Sequence, residues 1–206
     1  TRVRVFRYTA DGSPDTTFGS GGEADLPGMS WYELSDLVIQ GNGRILVSAI
    51  AGPSSTPAIF GLTPTGALDA TWGASGISTG FSRKMVVMSD DRVLLLDTGP
   101  SLQLQVRRLT SAGVPDDTFG TAGVVDLPGL ASPVITARAQ GTGALVLLPG
   151  GPFGSPPATV IRLSASGALD TGFGSGGSVS VGAAVDLLVE AGGSFLTTTA
   201  PGDIAV

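Results

Sequence analysis

The chain has 206 residues, of which 42% are hydrophobic and 14% charged, and its formal net charge is −6. It has no cysteine and no histidine, which excludes disulfides, thiol catalysis and thiolate metal sites and removes the commonest general base. Nucleic acid is a disfavoured partner, because neutralising phosphates requires a basic face. The 32 glycines and 14 prolines are typical of many short strands joined by turns.

One short pattern recurs along the chain and organises it. It reads Gly, two residues, Asp, two residues, an aromatic residue and Gly, and the first copy runs from Gly12 to Gly19. The Asp can accept hydrogen bonds from the following backbone N–H groups, the aromatic ring can fill a gap in a core, and the last Gly permits positive φ. The pattern therefore predicts a structural corner rather than a catalytic carboxylate. The corner aspartates are Asp15, Asp69, Asp116 and Asp170.

The same series of elements surrounds each corner. In the first repeat, alternating apolar residues predict strands over 23–26, 33–39, 45–50 and 58–62, with Gly41-Asn42-Gly43 as a hairpin turn. The corresponding strands predicted later are 93–96, 102–109, 124–127, 144–148, 159–163, 184–190 and 194–199. Four strands in roughly 50 residues form the unit of a β-propeller blade.

The first strand is predicted over 3–8, and its sequence resembles the fourth strand of the other repeats. It is expected to complete the last blade and to close a ring of four blades. The alternative is a segment of a larger propeller. Residues 1–206 are therefore predicted to form a single all-β propeller domain.

The corner, the glycine three residues after it (Gly22 in the first repeat) and the hairpin turn before an apolar strand resemble the bacterial delta-60 repeat. This resemblance implies a β-propeller fold in secreted or surface proteins, and it implies no general biochemical activity. The family hairpin usually reads Asp-Gly-Lys, whereas the first repeat has Asn42-Gly43-Arg44 and the second corner has Trp72 instead of Phe. These departures indicate a diverged branch.

Few residues point to chemistry, and no catalytic or cofactor-binding residue is predicted. Asp11 and Asp15 form a candidate calcium site, but calcium prefers six to eight oxygen ligands and the other repeats lack an acidic residue at the position of Asp11. A glycoside hydrolase would need two converging carboxylates. Candidates for that alternative are Asp25, Glu33, Asp36, Asp126 and Asp186, and nothing in their spacing brings them together.

The loops between the first and second strands of the repeats differ most from one another. They carry residue types that are enriched at protein interfaces, although Trp31 and Phe81 could instead pack within the blades. The candidates for an interaction rim are Trp31, Tyr32, Phe81, Arg83 and Lys84.

These patterns favour a non-enzymatic structural or protein-interaction module. We expect an accessory subunit of an extracytoplasmic complex, whether secreted, periplasmic or on the cell surface, because a surface rich in Ser, Thr and Gly resembles that of many secreted bacterial proteins. A lectin that binds glycans on aromatic rims is the alternative, and a hydrolase is a third class. No apolar run approaches the roughly 18 residues that a spanning helix requires.

Overall fold

The structure is a computed structural model that describes residues 3–27, 34–51, 56–80, 82–99, 103–131, 134, 136–141, 143–148 and 157–199. These residues form sixteen β-strands. In chain order the strands are β1 Arg4–Phe6, β2 Glu23–Asp25, β3 Leu34–Ile39, β4 Ile45–Ala51, β5 Thr56–Leu62, β6 Ile77–Thr79, β7 Lys84–Val87, β8 Val93–Thr98, β9 Gln103–Leu109, β10 Val124–Ala131, β11 Thr136–Gln140, β12 Gly143–Leu148, β13 Thr159–Leu163, β14 Ser178–Ser180, β15 Ala184–Val189 and β16 Phe195–Thr199.

The strands form antiparallel sheets of the kind found in propeller blades. Three sheets have four strands each, β3 to β6, β7 to β10 and β11 to β14, and in each one successive strands pair with their neighbours in sequence. β1 pairs with β2 and β15 pairs with β16, as two-stranded sheets. Each predicted strand overlaps an observed one, and the prediction of an all-β fold with propeller-type blades is confirmed.

The corner lies inside a blade rather than between blades. β5 and β6 flank the corner at Asp69, and they pair in register from Ala58 opposite Thr79 to Phe60 opposite Ile77. The short strand that follows each complete corner therefore belongs to the sheet of the strands before it. The variable rim loops are consequently the connections from one sheet to the next.

The chain divides into two compact units, and the first comprises Thr1–Ser82 with Thr110–Val114. Its core lies between the β1–β2 sheet and the β3–β6 sheet. Val5 of β1 and Phe18 of the corner between β1 and β2 pack there with Val47 and Phe60 of the second sheet. The burial of β1 alternates, with Val5 inside and its two neighbours exposed, as expected for a strand with one covered face.

The second unit comprises Arg83–Leu109 and Pro115–Val206. One apolar cluster, which includes Leu96 and Val146, joins the β7–β10 sheet to the β11–β14 sheet. Another, which includes Leu145 and Leu187, joins the β11–β14 sheet to β15 and β16. The two faces of β12 thus serve different clusters, because neighbouring side chains on a strand point to opposite sides.

The two two-stranded sheets together have four strands, as many as one blade. β1 and β2 lie in the first unit, and β15 and β16 lie in the second. Closure of the last blade by the N-terminal strand, and hence a ring of four blades, stays a prediction. The same applies to a single domain spanning the whole chain.

The glycine that follows each corner aromatic residue is required by both conformation and space. Gly19 has φ +55°, and a Cβ atom there would lie 1.9 Å from the carbonyl oxygen of Glu23. Gly21 in the same turn has φ +65°, but a Cβ there would meet nothing within 4 Å. Substitutions at these two glycines therefore distinguish the free-energy cost of a positive φ from that of a steric clash.

We predict that Gly19→Ala destabilises the protein much more than Gly21→Ala. Both variants suffer the positive-φ penalty of about 1–2 kcal/mol, but only Gly19→Ala must also displace the backbone of Glu23. Urea unfolding followed by tryptophan fluorescence and circular dichroism measures both midpoints. Equal midpoints would show that the corner tolerates the shift and that the clash has no cost.

Candidate functional site

The four corner aspartates share one hydrogen-bond geometry, which is clearest at Asp116. Its Oδ1 accepts a hydrogen bond from the backbone N–H of Thr118 at 3.1 Å and another from the Thr118 hydroxyl at 2.6 Å. The backbone N–H of Phe119 donates to the carbonyl oxygen of Asp116 at 2.9 Å. The Asp-x-Thr-Phe sequence thus closes a tight Asx-type turn. The same backbone contact to Oδ1 comes from Thr17, Thr71 and Gly172 in the other corners.

An arginine, which the sequence patterns had not singled out, holds the other oxygen of each corner carboxylate. Nε of Arg108 donates to Oδ2 of Asp116 at 2.8 Å. The corresponding pairs are Arg7 with Asp15 at 2.8 Å, Arg44 with Asp69 at 2.7 Å and Arg162 with Asp170 at 2.8 Å. In three corners the arginine stands eight residues before the aspartate, and that spacing is the signal that could have revealed it.

The same guanidinium groups lie over the corner aromatic rings. Cζ is 4.8 Å from the ring centroid of Phe18, 5.4 Å from Trp72, 4.6 Å from Phe119 and 4.8 Å from Phe173. Such cation–π contacts contribute about 0.5–2 kcal/mol, depending on desolvation. Each arginine is therefore fixed by a carboxylate at its edge and by a ring at its face.

The second corner has the same contacts between guanidinium, carboxylate and ring, but different residues provide them. The position eight residues before Asp69 is Gly61, where a Cβ would lie 2.5 Å from Cγ of Trp72. The larger indole leaves no room for a side chain at residue 61. The guanidinium comes instead from Arg44, at the hairpin between β3 and β4.

Three corners also contact the tight turn of the following repeat. Nη1 of Arg44 donates to the carbonyl oxygen of Ser111 at 3.0 Å, and Nη1 of Arg108 to that of Ala165 at 2.5 Å. Arg7 makes the equivalent bond to Pro64. Each corner ring lies against the turn glycine: Phe18 on Gly66, Trp72 on Gly113 and Phe119 on Gly167. We call this arrangement the corner–turn contact.

Hydrogen bonds lower the pKa of three corner carboxyls. The Thr118 hydroxyl holds the pKa of Asp116 below its ordinary value of 3.8, burial opposes this, and the Thr118 N–H and Arg108 lower it further. The pKa of Asp15 is lowered first by the Thr17 hydroxyl, and that of Asp69 first by the Thr71 hydroxyl. These carboxylates stay ionised because they are fixed hydrogen-bond acceptors, which suits a structural role.

Asp11 and Asp15, the candidate calcium pair, engage different partners. Oδ1 of Asp11 accepts hydrogen bonds from the Thr9 hydroxyl and from the Ser13 N–H, the latter at 3.0 Å. The Thr9 hydroxyl is also the leading cause that lowers the pKa of Asp11. Both oxygens of Asp15 belong to its own corner. Within the described residues no group of three or more Asp or Glu residues could hold a metal ion.

The carboxylates considered for glycoside hydrolysis lie on separate strands, each with its own partner. Asp25 pairs with Arg4 at 3.0 Å, and Asp186 pairs with Arg138 at 3.2 Å. Oδ1 of Asp126 accepts hydrogen bonds from the amides of Gln103 and Gln105. Oδ1 of Asp36 accepts the N–H of the next residue at 3.1 Å. Glu33 lies outside the described residues.

Only part of the predicted interaction rim can be placed. Arg83 is exposed and pairs with Asp97 at 3.7 Å, and Lys84 is half-buried at the start of β7. Trp31, Tyr32 and Phe81 lie outside the described residues. The rim therefore stays a prediction.

The N-terminal segment is similar to a known family. Residues 1–18 match the model of a domain of unknown function, DUF5122, described as a beta-propeller. The match extends from β1 to Phe18, and so it includes the arginine, the aspartate and the aromatic residue of the first corner. No curated protein matches the chain. Among the described residues, no helix is both long and apolar enough to cross a membrane.

We predict that Asp116→Asn destabilises the protein by about 1–3 kcal/mol at neutral pH, because it leaves buried donors without a charged acceptor. A lowered native pKa stabilises the fold above the unfolded pKa of about 3.9, and this stabilisation disappears as pH falls through the native pKa. The stability difference between wild type and variant should therefore shrink below about pH 4. Urea unfolding at pH 7, 5, 4 and 3 measures it.

Asp117→Asn, at the exposed neighbouring position, is the matched control for that series. A difference between Asp116→Asn and wild type that stayed constant down to pH 3 would contradict the assigned role of the carboxylate.

Arg108→Lys is expected to destabilise the second unit by about 1–3 kcal/mol, since one ammonium cannot reproduce the planar fork that joins carboxylate, hydroxyl and carbonyl. Arg107→Lys, at the half-buried residue beside it, is expected to change stability by less than about 0.5 kcal/mol. Chemical denaturation and hydrogen exchange of the corner amides compare the two. If both variants behaved alike, positive charge alone would account for the corner.

Proposed function

We propose that the chain is a non-enzymatic protein-interaction module of a diverged delta-60 repeat type, acting as an accessory subunit of an extracytoplasmic or cell-surface complex. Two lines of argument support a binding role. The recurring polar residues, the arginine and aspartate of each corner, bond to each other within the chain, so they are explained by a structural role. In addition, the first unit exposes apolar side chains along one strand.

This exposed strand is β3, at the edge of its sheet. Leu34, Leu37 and Ile39 are 53%, 50% and 59% exposed. Counted back from the hairpin, Leu37 corresponds to Met85 and Leu187, which are 5% and 1% exposed. Leu37 is thus exposed at the position where Met85 and Leu187 are buried, and exposed apolar patches mark interaction sites.

A groove extends this surface. It has a volume of about 410 Å³ and is lined by Val3, Arg4 and Val5 from the region of β1, by 34–37 of β3, and by Val47 of β4. The rim candidates Trp31 and Tyr32 precede β3 by only a few residues in the sequence. We assign the partner to this strand and groove, which we call the β3 surface.

The lectin is the second candidate, and two cavities in the second unit, each lined in part by charged side chains, favour it. One, of about 350 Å³, is lined by Arg92, Arg108 and Thr118 among others. The other, of about 600 Å³, is lined by Arg162, Asp170 and Gln140 among others. Both stand beside corners, as a repeated sugar site would require, but neither lining includes an aromatic side chain on which a sugar ring could stack.

We predict that Leu37→Asp combined with Ile39→Asp abolishes capture of a stoichiometric partner by the affinity-tagged chain. Two charges on the β3 surface would have to be desolvated on binding. Val114→Asp, at a residue that is 46% exposed and directly follows the turn at 110–113, is the matched control and should retain the partner. Native mass spectrometry of the complex from the source cells measures the stoichiometry.

Isolation of the wild-type chain only as a species of 20.5 kDa would contradict the accessory-subunit proposal. Binding of that isolated chain to a glycan array would then support the lectin. Loss of the partner in the Val114→Asp control as well as in the double variant would place the contact elsewhere.

A further inference from the structure

The hairpin between β3 and β4 carries the only asparagine of the chain, Asn42, and a glycine follows it. Gly41 and Asn42 are both exposed. Oδ1 of Asn42 accepts a hydrogen bond from the backbone N–H of Arg44 at 2.9 Å. This bond closes an Asx-turn around Gly43, and it therefore holds the side-chain carbonyl of Asn42 beside the peptide nitrogen of that glycine.

This geometry favours attack of the Gly43 nitrogen on Cγ of Asn42. Glycine has no side chain to obstruct the approach, and the N–H of Arg44 donates to the oxygen on which negative charge develops. The N–H of Gly43 donates to the carbonyl oxygen of Gln40 at 2.9 Å, so the reaction requires local opening at the exposed tip of the hairpin. The rate should rise with pH, because the nitrogen attacks after losing its proton.

We propose that Asn42 deamidates spontaneously and that the new carboxylate competes with Asp69 for the guanidinium group of Arg44. The Gly43 nitrogen bonds to Cγ of Asn42, and the side-chain nitrogen leaves as ammonia with the proton that Gly43 loses. Water then opens the resulting succinimide at one of its two carbonyls. The products are aspartate, with the normal backbone, and isoaspartate, with one extra methylene group in the backbone.

The second corner depends on Arg44. Nε of this residue donates to Oδ2 of Asp69 at 2.7 Å and Nη2 donates to the hydroxyl of Thr71 at 3.2 Å. Nη1 donates to the carbonyl oxygen of Ser111 at 3.0 Å, and the side chain is only 12% exposed. Gly61 stands at the position that supplies the arginine in the other three corners. A change at Asn42 that draws Arg44 away therefore removes the cation of this corner.

The hairpin between β7 and β8 shows what a carboxylate does at the same position. Asp90 corresponds to Asn42, because its Oδ1 accepts the N–H of Arg92 at 3.2 Å in the same kind of turn. Oδ2 of Asp90 also pairs with Nε of Arg92 at 3.1 Å. Arg92 approaches the corner carboxylate of Asp116 only to 3.5 Å, and its side chain is 42% exposed. The third corner tolerates this competition because Arg108 also serves it.

The two products of deamidation affect Arg44 in different ways. Aspartate keeps the hairpin, as Asp90 does, and its carboxylate competes with Asp69 for Nε. Isoaspartate lengthens the backbone immediately before the arginine and so displaces the guanidinium. In both cases Trp72 loses the cation that lies 5.4 Å from its ring centroid. This modification goes beyond the proposed function and requires no partner.

The test begins with the purified full-length chain, incubated at neutral and at mildly alkaline pH. Mass spectrometry of tryptic peptides should locate an increase of one dalton at residue 42, with release of one equivalent of ammonia and a faster reaction at the higher pH. Chromatography separates the aspartate and isoaspartate peptides. Asn42→Ser, which keeps a neutral oxygen acceptor in the turn, should release no ammonia over the same period.

The effect on the second corner is measured by hydrogen exchange of the N–H groups of Thr71 and Trp72, which donate to Asp69. Asn42→Asp should accelerate their exchange about tenfold, because weakening a charged hydrogen bond makes local opening easier. Asn42→Ser should exchange like wild type. In an Arg44→Gln background, where the corner already lacks its cation, Asn42→Asp should cause no further acceleration.

The site would be overturned if Asn42 stayed intact in the folded chain while the urea-unfolded chain converted completely. Equal exchange rates in Asn42→Asp and Asn42→Ser would overturn the competition for Arg44, as would an undiminished effect of Asn42→Asp in the Arg44→Gln background. The proposed function is tested separately, by partner capture with Leu37→Asp and Ile39→Asp.

Discussion

The repeat depends on the contacts of one guanidinium group, that of the corner arginine, with the corner carboxylate and the corner ring. At the third corner it joins the carboxylate of Asp116, the face of Phe119 and the carbonyl oxygen of Ala165. A planar fork with several fixed donors suits this geometry, and a single ammonium does not. One side chain thereby closes its own turn and fixes the position of the next one, so local and longer-range order have the same origin.

The second corner shows that the position of the guanidinium group is constrained more tightly than the residue that supplies it. A larger ring, a missing side chain at Gly61 and an arginine from the hairpin between β3 and β4 replace the usual set. The guanidinium position is preserved while its point of attachment is not. The cost is visible in Trp72, whose buried Nε1 has no hydrogen-bond partner among the described residues, where a phenylalanine would have no polar atom to satisfy.

The strands and corners were predictable from sequence because their signals are local: alternating apolar residues, and an aspartate three residues before an aromatic ring. The arginines were harder to find, because Arg44 reaches its aspartate from 25 residues away and the common spacing of eight fails there. The sequence also did not show to which sheet each short strand belongs, since pairing of β5 with β6 depends on how the corner reverses the chain. Exposure of Leu37 depends on which sheets cover β3, and no local pattern encodes that.

The contact between a corner and the next turn also bears on how such a chain can change its length during evolution. Recombination between two corner sequences removes or adds a whole repeat, and the new junction again has an arginine, an aspartate, a ring and a glycine turn. Gly61, Trp72 and Arg44 are the exception, because their substitutions are matched to one another. A crossover that separated Arg44 from Trp72 would leave a corner without its cation, and we expect these residues to be inherited together.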